Sequence, residues 1–249
     1  ISDQTGWLPT GNMMGNHNIE MITDAYAKGI SNFDTAKALK IMRKSILQFP
    51  YARREMTDFN DHGYVPSEVT SSVTHSLEFA YNAWALAEYI SITGNKHNYK
   101  NEYDTLLKRA SYYEHLYAPN EGFMTAKTRS GEWAKEGYCE GTEWTYSWYA
   151  PHDVQGLINL LGGRSMFNDK LTECFEKGYY VHDNEPPLHY GYLFNYSGEP
   201  WKSQAWCRKI VTENYSNTPG GIPGNDDLGA MSSWFVLSAM GFYPVSPGT

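Results

Sequence analysis

Three short acidic segments are the places in this chain where chemistry could occur. The first is "PGNDDLGAM", a flexible loop that runs into two adjacent carboxylates and then an apolar stretch. Asn225 is a good N-cap, so the spacing predicts a helix over about 226–240 with Asp226 and Asp227 in its first turn. The positive end of a helix favours ionised carboxylates. An ionised, immobile carboxylate beside such a loop is what a general base requires. The plain alternative is that acidic residues begin helices for stability alone. The motif by itself leaves both readings open.

The second segment is "EGYCEGTEWTYSWYAPHD". Glu140 is flanked by Tyr138, Trp144 and Tyr146. A carboxyl group in an aromatic, apolar pocket has a raised pKa and can act as an acid. Glu143 competes with it, and could form a capping box with the turn of Glu140. The third segment is "HDNEPPLHYGY". Asp183, Asn184 and Glu185 offer hard oxygens of the kind calcium takes, though without EF-hand spacing. A helix cap is the alternative. His189 lies a turn beyond, where a lone histidine is usually a satisfied core or surface residue. The eight histidines form no HExxH or HxH pattern, which disfavours zinc.

The elements that must position these segments read as helices. In "SVTHSLEFAYNAWALAEYISITG" apolar residues recur at Val73, Leu77, Ala80, Trp84, Ala87 and Ile90, and Gly94 is a stop signal. Asp34 can cap a helix through about Gln48. Further helices fit 18–28, 98–117, 168–177, 187–197 and 200–214. One or two more fit the stretch ended by Gly162 and Gly163. "GFMTAKTRSGEW" could be a small hairpin. About nine helices joined by short loops predict an all-α fold of antiparallel pairs. Periodicity alone does not separate a bundle from a toroid.

Composition narrows the ligand. The chain has 249 residues and 41% hydrophobic content, enough for a real core. A formal charge of −8 argues against a nucleic-acid or anionic-membrane surface. Aromatic residues make up 15%, mostly as core, although flat amphipathic rings also line sugar clefts. Cys139, Cys174 and Cys207 form neither a disulfide framework nor a CxxC zinc pattern. No apolar run approaches the ~18 residues of a membrane span.

Taken together, "EGTEWTYSWYAPHDVQGLINLLGG", "NEPPLHYGYLFNYSGEPWK" and "PGNDDLGAMSSWFVLSAMGFYPVSPG" closely resemble the motif blocks of glycoside hydrolase family 92, the calcium-dependent α-mannosidases. "GWLPTGNMMGNHNIEMITDAYAKGI" and "SVTHSLEFAYNAWALAEYI" resemble the earlier blocks, so the similarity runs from Trp7 to Pro247. The resemblance implies a β-sandwich followed by an (α/α)6 barrel of twelve helices. Residues 1–249 then correspond to part of one catalytic domain, an incomplete (α/α)6 toroid. The sandwich is a partner elsewhere in the same protein.

The resemblance also implies inverting exo-hydrolysis of terminal α-linked mannose from glycans, with α-1,2 the preferred linkage. Matched by motif position, Glu140 is the general acid and Asp227 the general base. Asp226 supports the base. Trp144, His189 and Asn225 contact the substrate. Asn184 and Glu185 hold Ca²⁺, which touches the mannose hydroxyls. Relatives are mostly exported. The chain departs from many relatives at Asn82 and Ala83, where they carry a carboxylate pair, so substrate contacts expected there do not carry over.

Rival readings differ in kind. A terpene-cyclase-like metal motif needs further carboxylates one turn beyond Asp227, and this chain has Leu228, Gly229, Ala230 and Met231. A non-catalytic glycan-binding helical domain would bind mannose without Glu140 or Asp227. A plain helical scaffold does not account for three acidic segments at helix entrances among Trp and Tyr.

Overall fold

A computed structural model describes residues 13–47 and 54–249. Trp7, the start of the first motif block and Gln48 lie outside the described residues. The chain divides into two compact units, one through Glu140 together with Ser246–Thr249, the other spanning Gly141–Val245.

The first unit is built around one buried helix. Its helices are α1 (Asn18–Ala27), α2 (Thr35–Leu47), α3 (Arg54–His62), α4 (Ser72–Ile92) and α5 (Lys100–Ala110). Asp34 caps the start of α2, its Oδ1 accepting from Lys37 N at 2.9 Å, as the sequence predicts. Ile19, Leu39, Met42, Ile46 and Leu106 pack against Leu86, Tyr89 and Ile90 of α4. A helix apolar all round belongs in an interior, yet α4 also buries Ser72, Thr74, His75, Ser76, Glu78 and Asn82. Arg43 of α2 forks onto Glu102 of α5, with its Nε donating at 2.6 Å. Gly94 has a φ of 73°, past the end of α4, where only glycine turns cheaply.

The helix expected over 98–117 ends at Ala110, and a 3₁₀ turn over Ser111–Leu116 replaces its last part. Tyr117–Ala118 then pairs antiparallel with Phe123–Met124. Ala126–Lys127 pairs with Trp133–Ala134, the small hairpin suggested by the sequence. The chain's end returns to this unit, where Tyr81 Oη donates to Pro247 O at 2.7 Å and Gly248 N to Asp24 Oδ1 at 2.9 Å.

The second unit contains α6 (Glu143–Tyr146), α7 (Val154–Leu160), α8 (Arg164–Glu176), α9 (Pro200–Asn214) and α10 (Ala230–Met240). Asp153 caps α7, accepting from Gly156 N at 2.9 Å. The core is aromatic: Trp148, Phe167, Tyr190, Phe194 and Trp234 are fully buried. Trp148 meets Phe167 edge-on, with ring centroids 5.4 Å apart. The expected helix over 187–197 is a shorter 3₁₀ helix, Tyr190–Asn195. Cys139, Cys174 and Cys207 form no disulfide with one another.

Candidate active site

Glu140 lies at the boundary of the first unit. Its backbone is left-handed, with φ 50°, a conformation that costs a non-glycine residue of order 1–3 kcal/mol and collects at functional sites. The side chain is exposed, not enclosed by apolar rings as the sequence predicts. The expected capping box with Glu143 is not formed either. Thr142 is the cap, its Oγ1 accepting from Trp144 N at 3.2 Å while Thr142 N donates to Thr145 Oγ1 at 3.1 Å. A hydroxyl at the N-cap position reaches the helix amides more directly than a longer carboxylate further back.

The remaining candidates lie in the second unit. Asp226 and Asp227 precede the helix rather than forming its first turn. A 3₁₀ turn covers Asp227–Gly229, and α10 starts at Ala230. Asp227 and Leu228 are left-handed, with φ 42° and 56°. The reason is Asp226. Its Oδ1 accepts from both Ser232 N and Ser232 Oγ at 2.9 Å, which ties the carboxylate to an orphan amide at the start of α10. The chain must loop over that bond, and Gly229, with φ 94°, completes the loop. Asp226 is therefore held in place, while Asp227 is carried on the bend above it. Both are half-buried.

Asn184 and Glu185 are half-buried as well. Asn184 Oδ1 accepts from Glu185 N at 3.0 Å, which shapes a tight turn. The preceding residue fastens this turn to the Asp226–Asp227 loop. Asp183 O accepts from Asn225 N at 3.1 Å. Gly224 is pressed so closely on Asp183 that a Cβ there would stand 2.0 Å from its carbonyl oxygen. The structure thus brings Asn184, Glu185, Asn225, Asp226 and Asp227 into one neighbourhood.

Among the described residues no group of three or more His, Cys, Asp or Glu side chains is arranged to hold a metal ion. The donors at Asn184 and Glu185 are hard oxygens, which fit calcium. Calcium takes about 6–8 such ligands, so water and sugar hydroxyls would have to complete the shell.

His189 is buried, its Nε2 lying 3.2 Å from Trp148 O, and burial lowers its pKa to about 4. Trp144 stacks on Tyr179 with centroids 4.4 Å apart. Lys170 Nζ lies 5.6 Å from the Trp144 ring centroid, and burial lowers its pKa to about 8. Sequence reasoning passed over Tyr180, His182 and Tyr215. His182 is buried, with Nδ1 2.6 Å from Tyr180 Oη and Nε2 2.7 Å from Tyr215 Oη. The available signal was a histidine immediately before the Asp183–Glu185 triplet.

Comparison with known proteins places the chain in a family. The chain matches the model of the glycosyl hydrolase family 92 catalytic domain over residues 2–249. A family GH92 α-mannosidase from Bacteroides thetaiotaomicron, solved with mannoimidazole, is similar with a TM-score of 0.88 and 32% identity, over 96% of this chain and 35% of that one. A family GH92 inverting mannosidase from the same organism has a TM-score of 0.86 and 31% identity, over 98% and 38%. A curated relative, an uncharacterized secreted glycosidase of Arthroderma benhamiae, is 26% identical over 98% of this chain and 38% of its own length. The chain therefore spans little more than a third of these relatives. The described residues are mostly helical with only two short hairpins, in keeping with the fold of these family members.

Proposed function

Because the chain belongs to glycosyl hydrolase family 92, we propose that it forms part of one catalytic domain of an inverting exo-α-mannosidase. Its substrate class is terminal α-linked mannose on glycans, with α-1,2 the favoured linkage. The observation that carries the reading is the fastening of Asp183 to Gly224 and Asn225. It holds hard-oxygen donors beside a strained, carboxylate-bearing turn.

In this reading Glu140 gives its proton to the departing glycosidic oxygen. Asp227 takes a proton from the water that attacks the anomeric carbon from the opposite face. Inversion uses one acid and one base in this way. Asp226, already bound to Ser232, keeps the Asp227 turn in place. Asn225 and Trp144 contact the sugar, whereas His189, expected from the sequence to do so, is buried against the Trp148 carbonyl and has a structural role instead. Asn184 and Glu185 would hold Ca²⁺, which when bound would supply a hard cation for the mannose hydroxyls. A secreted relative supports an exported protein. No helix among the described residues is long and apolar enough to cross a membrane.

The test uses the full-length polypeptide. Proton NMR of the first-formed sugar should show β-mannose. Initial α-mannose would remove Asp227 from its role as base. Glu140→Gln should slow substrates with poor leaving groups by about 10²–10⁴-fold and spare those with good ones. Asp227→Asn should slow both alike, because water attack is always required. Mannose binding with no turnover in the wild type would favour a glycan-binding domain instead.

A further inference from the structure

We propose that His182 is a positioning residue that sets the Asn184–Glu185 segment against the Asp226–Asp227 turn through a one-way chain of hydrogen bonds. The inference rests on the reading of those two segments as calcium site and base.

The direction of the chain follows from its far end. Tyr215 Oη donates to Met231 O at 3.0 Å, which uses its single hydrogen. The 2.7 Å contact between Tyr215 Oη and His182 Nε2 therefore has the imidazole as donor. A neutral ring with its hydrogen on Nε2 presents Nδ1 as an acceptor, and Tyr180 Oη donates to it at 2.6 Å. The chain runs from Tyr180 through His182 and Tyr215 to the Met231 carbonyl. One tautomer and one ring orientation satisfy it.

The rings are fixed as firmly as the polar atoms. His182 stands edge-on to Trp234, with centroids 4.4 Å apart. Tyr215 lies nearly parallel to the same indole at 6.0 Å. Trp234 Nε1 donates to Leu188 O at 2.7 Å, three residues beyond Glu185. An all-apolar cluster would fill this space without aligning anything. A buried polar chain costs desolvation, and in return it specifies a single arrangement.

Two members of the chain, Met231 at its end and His182 in its middle, adjoin the two halves of the site. Met231 is next to Ser232, which grips Asp226 Oδ1. His182 is next to Asp183, whose carbonyl accepts from Asn225 N. The Asp226–Asp227 turn is thus pinned on both sides, once through backbone and once through His182. His182 acts through Tyr215 and Asp183 and does not itself reach the sugar.

The test compares Tyr215→Phe with Glu185→Gln in the full-length protein. Tyr215→Phe keeps the ring packed on Trp234 and removes only the hydroxyl. Calorimetry with calcium alone should then show affinity weakened about tenfold, the scale seen when partners of metal ligands are lost. At saturating calcium kcat should fall about tenfold or more, as misplacement of a reacting group does, with KM nearly unchanged. Nitrogen-15 NMR should show the His182 ring moving from the Nε2–H form to a mixture of tautomers. If Glu185→Gln loses calcium while Tyr215→Phe keeps calcium affinity, kcat and tautomer, the positioning role is wrong and the calcium reading stands. A Tyr215→Phe protein that differs from wild type only in a lower Tm overturns the positioning role in the same way. If Glu185→Gln binds calcium like the wild type, the calcium reading fails and the positioning role falls with it.

Discussion

At the residue scale the proposed acid and the proposed base each occupy a backbone conformation that most side chains avoid. Glu140 and Asp227 both sit at positive φ, and neither is glycine. Gly224 shows why a glycine is required where one occurs. Its φ is 58° and Asp183 occupies the space a Cβ would need. Gly224→Ala should therefore separate the two loops and lower activity at least 10²-fold, the cost of a misplacement of about 1 Å. A variant that stays folded by circular dichroism and retains full activity would show that this contact does not position the site. Asp226 has a separable role at the start of α10. Asp226→Ala deletes both bonds to Ser232 and should destabilise the protein by roughly 1–2 kcal/mol in urea, the range for loss of a helix cap.

At the element scale the packing of α1 on α4 contains a buried acid. Glu20 Oε1 accepts from Asn82 Nδ2, and Asn82 Oδ1 accepts from Asn16 N at 2.8 Å. Burial pushes the Glu20 pKa up to about 7, the Glu78 carboxylate adds to the rise, and His17 and Asn82 oppose it. An acid whose pKa is higher folded than unfolded stabilises the fold below its unfolded value. It loses that contribution as pH rises through the folded value. Stability should therefore fall between about pH 4.5 and pH 7 and level off above. Glu20→Gln keeps an acceptor for Asn82 and removes the ionisation. It should match the wild type near pH 4.5 and exceed it at pH 8 by on the order of 3 kcal/mol. Equal urea midpoints at pH 8 would refute the buried acid.

At the scale of the whole molecule the two units should respond differently to calcium. Asn184 and Glu185 belong to the second unit, and the first contains none of the proposed donors. Binding to the native state stabilises it by about 2.7 kcal/mol at a hundredfold excess over Kd. Hydrogen exchange should therefore slow around residues 182–188 and 224–232 when calcium is added. The buried amides of α4 should follow only if the units unfold together. Protection confined to α4 would place the metal elsewhere.

The amino-acid sequence by itself determined most of the longer helices, because they follow from local spacing, but it missed α3 over Arg54–His62 and overran the end of α5. The apolar recurrence in α4, Asp34 ahead of α2, and Gly94 and Gly241 past their helices all act within a few residues. The long motif blocks also carried the family, matched over residues 2–249. The start of α10 was not legible. Asn225 followed by two aspartates has the local form of a cap, and only the bonds from Asp226 to Ser232 moved the helix start to Ala230. The exposure of Glu140 was equally hidden, since aromatic neighbours in sequence need not enclose a side chain in space. The meeting of Asp183 with Gly224, and of His182 with Tyr215, joins residues more than thirty positions apart. Such contacts obey no periodicity. They arise where packing against Trp234 leaves one arrangement that satisfies the polar chain from Tyr180 to Met231, and only the tertiary structure selects it.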